Sequence, residues 1–389
     1  MKSVCAVICE YNPMHLGHVR HLAETRRQSG CDAVALIMSG SVVQRGEFAF
    51  LDKFTRTEIA LANGADLVLE LPTAFACAAA DDFALYAVKI ADALPFVTHL
   101  SFGSGCGEVG KLLKAREILD REEFRGALCE NLNAGNSYAG AYRAAARNAL
   151  ESQGLGEILS DSNDLLALSY LKAIRATGAN LSPVAIKRSG RYNSEELPDS
   201  PLGISASAVR KYADDPKIAA FVPEETLRAL AKRTAVSETE YYAMLRARLL
   251  ATSPEELKEV AGMGEGLENR LRAKCGAPDF AAYLDAVSTK RYSRSRIRRT
   301  LLRALLGITE DLLGRAKQAS PLLRVLGVKK GREELLSGYP AFLSPAEIGS
   351  LSSPLDELAA LDSLAFNLRA LLSAPEDFNR EYTRGLIKV

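Results

Sequence analysis

Two histidines three residues apart, His15 and His18, flank Gly17 in the string Glu10-Tyr11-Asn12-Pro13-Met14-His15-Leu16-Gly17-His18, and His21 follows. The string comes directly after an apolar run, Val4–Cys9. A buried strand, a Pro/Gly turn and a helix start would set both imidazoles at a helix N-terminus, facing the same way. Free backbone N–H groups and the helix dipole draw anions to such a place, and a glycine admits a phosphate to close range. Imidazole N–H groups aimed at an α-phosphate can meet the charge that builds up in an in-line displacement. His15 and His18 are therefore the expected catalytic pair, and His21, one turn deeper, is read as structural. No further ligand stands at zinc-like spacing, so no protein-held metal is expected.

A second group lies far along the chain, in Gly203-Ile204-Ser205-Ala206-Ser207-Ala208-Val209-Arg210-Lys211. Serines before an apolar helical run are ordinary N-caps. Beside an H-x-G-H string they read as a second phosphate clamp, with Ser205, Ser207 and Arg210 gripping β- and γ-phosphates. Ser39, Gly40, Gln44 and Arg45 follow the second apolar run. They are candidates to hold phosphate or a small carboxylate, because ligands of open α/β sheets bind beyond the strands' carboxyl ends. Lys53 and Arg56 read equally well as solvated helix residues. Between Asp285 and Glu310 there is no acid but seven bases: Lys290, Arg291, Arg294, Arg296, Arg298, Arg299 and Arg303. On one helix Arg296, Arg299 and Arg303 would share a face, opposite an apolar stripe of Ile297, Leu301 and Leu305. A cationic ridge anchored on a core suits a nucleic-acid backbone.

These groups need a frame. Short apolar runs at Val4–Cys9, Ala33–Met38, Asp66–Glu70, Thr98–Phe102 and Pro183–Lys187 alternate with helical stretches at Gly17–Ser29, Thr55–Ala62, Phe83–Leu94 and from Lys111 to Leu150. That alternation predicts an α/β fold: a Rossmann-like parallel sheet covered on both faces, followed by a mostly helical domain. The expected boundaries are a sheet domain carrying both phosphate-binding groups over 1–213, a helical basic domain over 214–310, and a mixed region over 311–389 packing on the rest. A chain of 389 residues, 48% hydrophobic and 25% charged, has ample core for this. Seven cysteines with no C-x-x-C pair suit a reducing compartment. With no signal-like start and no apolar stretch of membrane-spanning length, the expectation is a cytoplasmic protein with no membrane partner. The net charge of +1 leaves the question of a polyanionic partner to local clusters.

H-x-G-H after the first strand and I-S-x-S-x-x-R at the end of the same domain resemble the nucleotidylyltransferase and class I aminoacyl-tRNA synthetase superfamily. The resemblance narrows on M-S-G-S-V-V-Q-R-G-E (38–47), D-L-V-L-E-L-P (66–72), S-F-G-S (101–104), I-K-R (186–188), G-E-G-L-E-N-R (264–270) and S-T-K-R-Y (288–292). In that order, over roughly residues 1–300, they are similar to the bacterial tRNA(Met) cytidine acetate ligase family. The resemblance implies ATP, with Mg²⁺ accompanying it, as cofactor, and acetate and elongator tRNA(Met) as partners, with no obligate protein partner. It implies two steps: acetate attacks the α-phosphate, and the N4 amine of the wobble cytidine then takes the acetyl group, forming N4-acetylcytidine. It carries ATP contacts onto Val7, Ile8, Cys9, Glu10, Tyr11, Asn12, Pro13, Met14, His15, Leu16, Gly17, His18, Val19 and Arg20, and onto Gly103, Asn163 and Arg188. The family tends to a paired Asn-Asn where this chain has Asn163-Asp164. Acyl adenylation needs no enzyme nucleophile, in keeping with the absence of a Ser/His/Asp or Cys/His set. Two alternatives stay open: a nucleotidylyltransferase acting on a small phosphate metabolite, and a catalytically silent RNA-binding protein.

Overall fold

The computed structural model describes residues 3–136, 138–188, 195–289, 292–337 and 354–389, with the backbone alone at Tyr138 and Ala139. The first elements are β1 (Val4–Cys9), α1 (Leu16–Ser29), β2 (Ala33–Ser39), β3 (Val42–Val43), β4 (Glu47–Phe48), α2 (Lys53–Ala62), β5 (Leu67–Leu71), α3 (Thr73–Ala76), α4 (Ala80–Asp92) and β6 (Val97–Ser104). Helices α5 (Val109–Leu119), α6 (Glu122–Asn133), α7 (Tyr138–Glu151) and α8 (Ser162–Thr177) then lead to β7 (Ser182–Lys187). Beyond it the chain is helical through α9 (Ala206–Lys211), α10 (Glu224–Lys232), α11 (Glu238–Ala251), α12 (Pro254–Lys258), α13 (Leu267–Ala273), α14 (Phe280–Val287), α15 (Arg294–Leu306) and α16 (Glu310–Gln318). It ends in β8 (Val325–Val328), α17 (Leu355–Ser373), α18 (Arg380–Thr383) and β9 (Ile387–Lys388).

Among the described residues, seven strands form one sheet in the order β7-β6-β1-β2-β5-β8-β9. The five expected strands pair in parallel, with Cys9 beside Met38 and Val7 beside Ser101. Val4–Ile8 and all of β2 are buried, so these strands read as continuous apolar runs rather than alternating ones. The parallel expectation holds for this central part. The edge differs: β8 runs antiparallel to β5, and β9 pairs with β8. Residues after 311 thus complete the sheet itself. Within that mixed region, the short apolar stretch that the sequence shows at Pro340–Leu343 lies outside the described residues.

Lys53 and Arg56 correct the sequence reading, for neither is solvated. Lys53 is fully buried, with Nζ 2.8 Å from Glu70 Oε1 on β5 and 2.7 Å from Glu381 Oε1 on α18. Arg324 lies 3.3 Å from Glu70 and pairs with Glu381 as well. Asp362 on α17 accepts from the Thr73 N–H at 2.6 Å, and burial followed by the nearby Glu70 raises its pKa to about 8. The charges of Lys53, Glu70, Arg324 and Glu381 persist this deep because each meets an opposite partner at close range, whereas Asp362 accepts from a backbone N–H and is held toward its neutral form. Gly40 belongs here too: a Cβ on it would stand 2.0 Å from Glu70 Oε1. The helical part also begins on the sheet domain, where the Thr226 hydroxyl of α10 donates to Met14 O at 3.1 Å.

Candidate nucleotide site

The chain leaves β1 through a turn in which Tyr11 holds a strained φ of 42°; the Asn12–Pro13 peptide that follows is cis. It enters α1 with His15 as the N-cap. His15 Nδ1 accepts from the Gly17 N–H at 3.1 Å, and His18 Nδ1 accepts from the His15 N–H at 3.3 Å. The two imidazoles thus form a capping box, a task ordinarily given to Ser/Thr and Glu. With both Nδ1 atoms accepting, each ring carries its proton on Nε2. The rings stack at 3.7 Å, and Tyr11 lies 4.7 Å from His18.

Burial, with Arg188 as the second cause, lowers the His15 pKa to about 3. Burial holds His18 well below its ordinary value, assisted by His15, Arg188 and His21. Both rings are therefore neutral Nε2–H donors at pH 7. His15 Nε2 is buried without a partner, and an orphaned donor of this kind calls for an acceptor. Gly17 has a reason beyond phosphate access, because a Cβ there would come within 2.9 Å of His15 Cε1 and 3.1 Å of Leu202 O.

The cleft over the strand ends is lined by Ile8, Cys9, Glu10, Tyr11, Asn12, His15, Gly17, His18, Arg20, Gly103, Asn163 and Arg188. Val7, Pro13, Met14, Leu16 and Val19, from the same carried-over stretch, are not on this lining; Val7 and Met14 are core residues. Arg188 donates to Asn163 Oδ1 at 3.3 Å and passes over Gly103. Asp164 does different work from Asn163. It is buried and accepts from the Ser104 hydroxyl and from the Gly105 and Cys106 N–H groups at 2.9 and 3.0 Å, fixing the turn after β6. His21, expected to be purely structural, also lines the cleft, within 3.3 Å of Ser101 Oγ. Burial, then Arg188 and Arg20, lowers its pKa to about 4.

The same cleft is also lined by Gln44, Arg45, Ser205, Ser207 and Arg210. Ser205 caps α9 by accepting from the Ala208 N–H at 3.0 Å, so the cap reading and the clamp reading meet in one residue. Ser207 Oγ accepts from Arg45 at 3.4 Å and from Arg210 at 3.3 Å, and Arg210 also donates to Asn12 O at 2.7 Å. Cations from two distant segments, Arg45 and Arg210, therefore converge at Ser207 where a polyphosphate would lie. Ser39 and Gly40 do not reach the cleft. Ser39 is buried, and both present their carbonyl oxygens to Arg56. Arg56, 1% exposed, also donates to Glu10 O and Leu51 O at 2.7 and 3.0 Å, tying together the ends of β1 and β2. Its signal in the sequence was faint: Lys53, Arg56, Thr57 and Ala60 fall on one face of α2, and that face proves to be the buried one.

A magnesium ion brought by a nucleotide would find Glu10 as the carboxylate among the described lining residues. No group of three His, Cys, Asp or Glu side chains is gathered to hold a metal among the described residues. That donor set fits an ion carried mainly by phosphate oxygens.

The basic segment does form one helix, α15, with Ile297 and Leu301 in the core. It is not the open ridge expected. Arg303 is 6% exposed and donates to Ala261 O at 3.1 Å, so it belongs to the interior. Arg294 pairs with Asp285, Arg298 with Glu47 at 3.4 Å, and Arg296 stands 5.1 Å over the Tyr292 ring and 3.9 Å from Glu265. Arg299 is partly buried, and burial followed by the nearby Arg303 lowers its pKa. Lys290 and Arg291 lie outside the described residues. Helix α15 nonetheless adjoins the nucleotide cleft: a Cβ on Gly46, whose φ is 76°, would strike the Arg299 backbone nitrogen at 2.3 Å.

The comparisons agree with this geometry. The family model described as HIGH Nucleotidyl Transferase matches residues 1–376. A tRNA(Met) cytidine acetate ligase of Acetivibrio thermocellus is 35% identical over 414 residues, covering 99% of both chains. One from Clostridium perfringens is 33% identical, covering 98% of both. The apo crystal structure of Thermotoga maritima TmcAL superposes with a TM-score of 0.88 at 28% identity, over 100% of this chain and 99% of that one. A second form of TmcAL, bound with alpha-thio ATP, gives 0.86 at 27% identity over the same shares. The chain belongs to the HIGH nucleotidyl transferase family and, within it, to the tRNA(Met) cytidine acetate ligases.

Proposed function

We propose that this enzyme is an ATP-dependent, AMP-forming ligase that activates acetate as acetyl-adenylate and transfers the acetyl group to N4 of the wobble cytidine of elongator tRNA(Met). The observation that carries the reading is the pair of neutral Nε2–H donors at the head of α1, facing a cleft rimmed by Arg45, Arg188 and Arg210. In the first step an acetate oxygen bonds to the α-phosphorus as the bond to the bridging oxygen breaks, and pyrophosphate leaves with the electron pair. His15 and His18 donate to the non-bridging oxygens as their charge rises, while the arginines and the Ser205 and Ser207 segment receive the departing pyrophosphate. Neutral donors suit this task, since they stabilise the crowded state without protonating the leaving group. Mg²⁺ arriving with ATP would offset further phosphate charge.

In the second step N4 attacks the acetyl carbon, the mixed-anhydride C–O bond breaks, AMP leaves, and N4 gives up a proton to solvent. The base has to leave the anticodon-loop stack to reach the adenylate. The nearness of α15 to the Arg45–Glu47 turn supports RNA approaching from that side. No helix among the described residues is long and apolar enough to cross a membrane, and we assign the reaction to the cytoplasm, where its substrates are. The test is ATP/pyrophosphate exchange with acetate, with and without RNA. Exchange driven by acetate supports the ligase; exchange driven only by a phosphorylated metabolite, or none at all, overturns it.

A further inference from the structure

The cleft lining is divided by chemistry. Two of its cations, Arg45 and Arg210, meet at Ser207 Oγ, where the triphosphate would run, and Arg188 lies over Gly103 beside Asn163. Its apolar part is a wall of Phe83, Phe102, Leu166 and Tyr170, built by α4, β6 and α8. Phe83, Phe102 and Tyr170 are all at most 3% exposed, and the rings of Phe102 and Tyr170 lie 5.7 Å apart. Besides His15 Nε2, two polar groups on the lining are buried without a partner, the Tyr11 hydroxyl and the Gln44 side-chain nitrogen, and of these only the amide nitrogen is a donor that cannot also accept. Gln44 Nε2 is buried without a hydrogen bond, although the Gln44 backbone N–H is pinned to Glu10 Oε1 at 2.6 Å. A buried, unmade amide donor on the same lining as the orphaned His15 Nε2 implies an acceptor for each in the filled site.

We infer that Gln44 is the specificity-determining contact for the carboxylic acid substrate: its side-chain amide donates to one oxygen of acetate, and the aromatic wall takes the methyl group. This rests on the ligase reading above and adds the acyl subsite to it. The chemistry favours a neutral donor. A cation gripping the carboxylate would draw off the electron density it needs as nucleophile, whereas one N–H orients one oxygen and leaves the other's lone pairs free to attack. The attack forms the O–Pα bond and breaks the bond from Pα to the bridging oxygen, and no proton moves. The wall sets the size limit because close-packed rings cannot retreat to admit a longer chain.

The test measures acetate-dependent ATP/pyrophosphate exchange in the full chain carrying Gln44→Ala, Gln44→Glu or Phe83→Ala, with ATP binding followed separately by thermal shift to confirm a folded nucleotide site. Gln44→Ala raises the KM for acetate about tenfold to a hundredfold, as expected for a lost hydrogen bond to a charged group, and leaves the KM for ATP within about twofold. Gln44→Glu removes exchange while ATP still stabilises the protein. Phe83→Ala shifts kcat/KM toward propionate over acetate by about tenfold or more. An unchanged acetate KM in Gln44→Ala, or a rise confined to the ATP KM, overturns the assignment. Absence of acetate-driven exchange in the unmodified protein overturns the ligase reading itself, so the two failures are distinct.

Discussion

Replacing His15 with asparagine separates two jobs that its ring performs at once. Nδ1 caps α1 through the Gly17 N–H, and Nε2 is the orphaned donor facing the cleft. Asparagine is among the best N-caps, so His15→Asn keeps an acceptor for Gly17 and loses the donor at the far edge of the ring. Removing one preorganised donor to a developing oxyanion costs about 10²–10³-fold in rate, or roughly 3–4 kcal/mol. His15→Ala loses that donor and the cap as well, adding about 1 kcal/mol of destabilisation. In a chain of 389 residues that is about 1 °C in Tm. The stacking on His18 vanishes in both variants and cancels in the comparison. Acetate-dependent ATP/pyrophosphate exchange should fall equally in the two, while Tm falls further in His15→Ala. If His15→Asn keeps more than about a tenth of the exchange, the donor is not part of the transition state. If the two variants melt alike, the capping role is wrong.

Acidification supplies a second test. The folded pKa of His15 is lowered to about 3 and that of His21 to about 4, against 6.5 unfolded. The unfolded chain thus binds more protons below pH 6.5, and their contribution to stability, complete above 6.5, is lost as pH falls through the 6.5 to 3 window. For His15 alone this amounts to about 2 kcal/mol by pH 5, at roughly 1.4 kcal/mol per unit; a denaturation midpoint independent of pH between 7 and 5 would contradict it. Lys53→Met strands Glu70 and Glu381 against Arg324 alone and should destabilise by about 3–5 kcal/mol in urea unfolding, whereas a solvated lysine would give under about 0.5 kcal/mol. On α15, Arg299→Glu should suppress tRNA acetylation while sparing exchange without RNA. Arg303→Met should lower stability instead, and equal stability losses in the two would remove the distinction drawn between them.

Residues 4–18 made much of the nucleotide site legible because everything there is local. An apolar run, a turn and two histidines three apart specify a strand, a helix start and a shared direction with no distant contact needed. The Ser205–Arg210 segment was legible for the same reason, as a cap signal beside bases. Arg56 was not: a guanidinium in a helix that also carries Lys53 and Glu58 looks solvated until the carbonyl oxygens of Glu10, Ser39 and Gly40 are found around it. The arginine run misled in the opposite way. Periodicity correctly put Arg296, Arg299 and Arg303 on one helix, but it cannot say how deep each position lies, and Arg303 lies inside.

By itself, then, the sequence determined the order of the five parallel strands and their helices, the turn and helix start at the head of α1 and the motifs that mark the family, each set by spacings within a few residues. The tertiary structure decided the rest. It gave the histidines their neutral Nε2–H form through the Gly17 and His15 N–H groups, brought Arg45 to Ser207 across 162 positions, and closed the sheet edge with a strand that begins at Val325. Protonation state and charge pairing depend on burial and on partners far off in the chain, and neither is encoded in any local pattern.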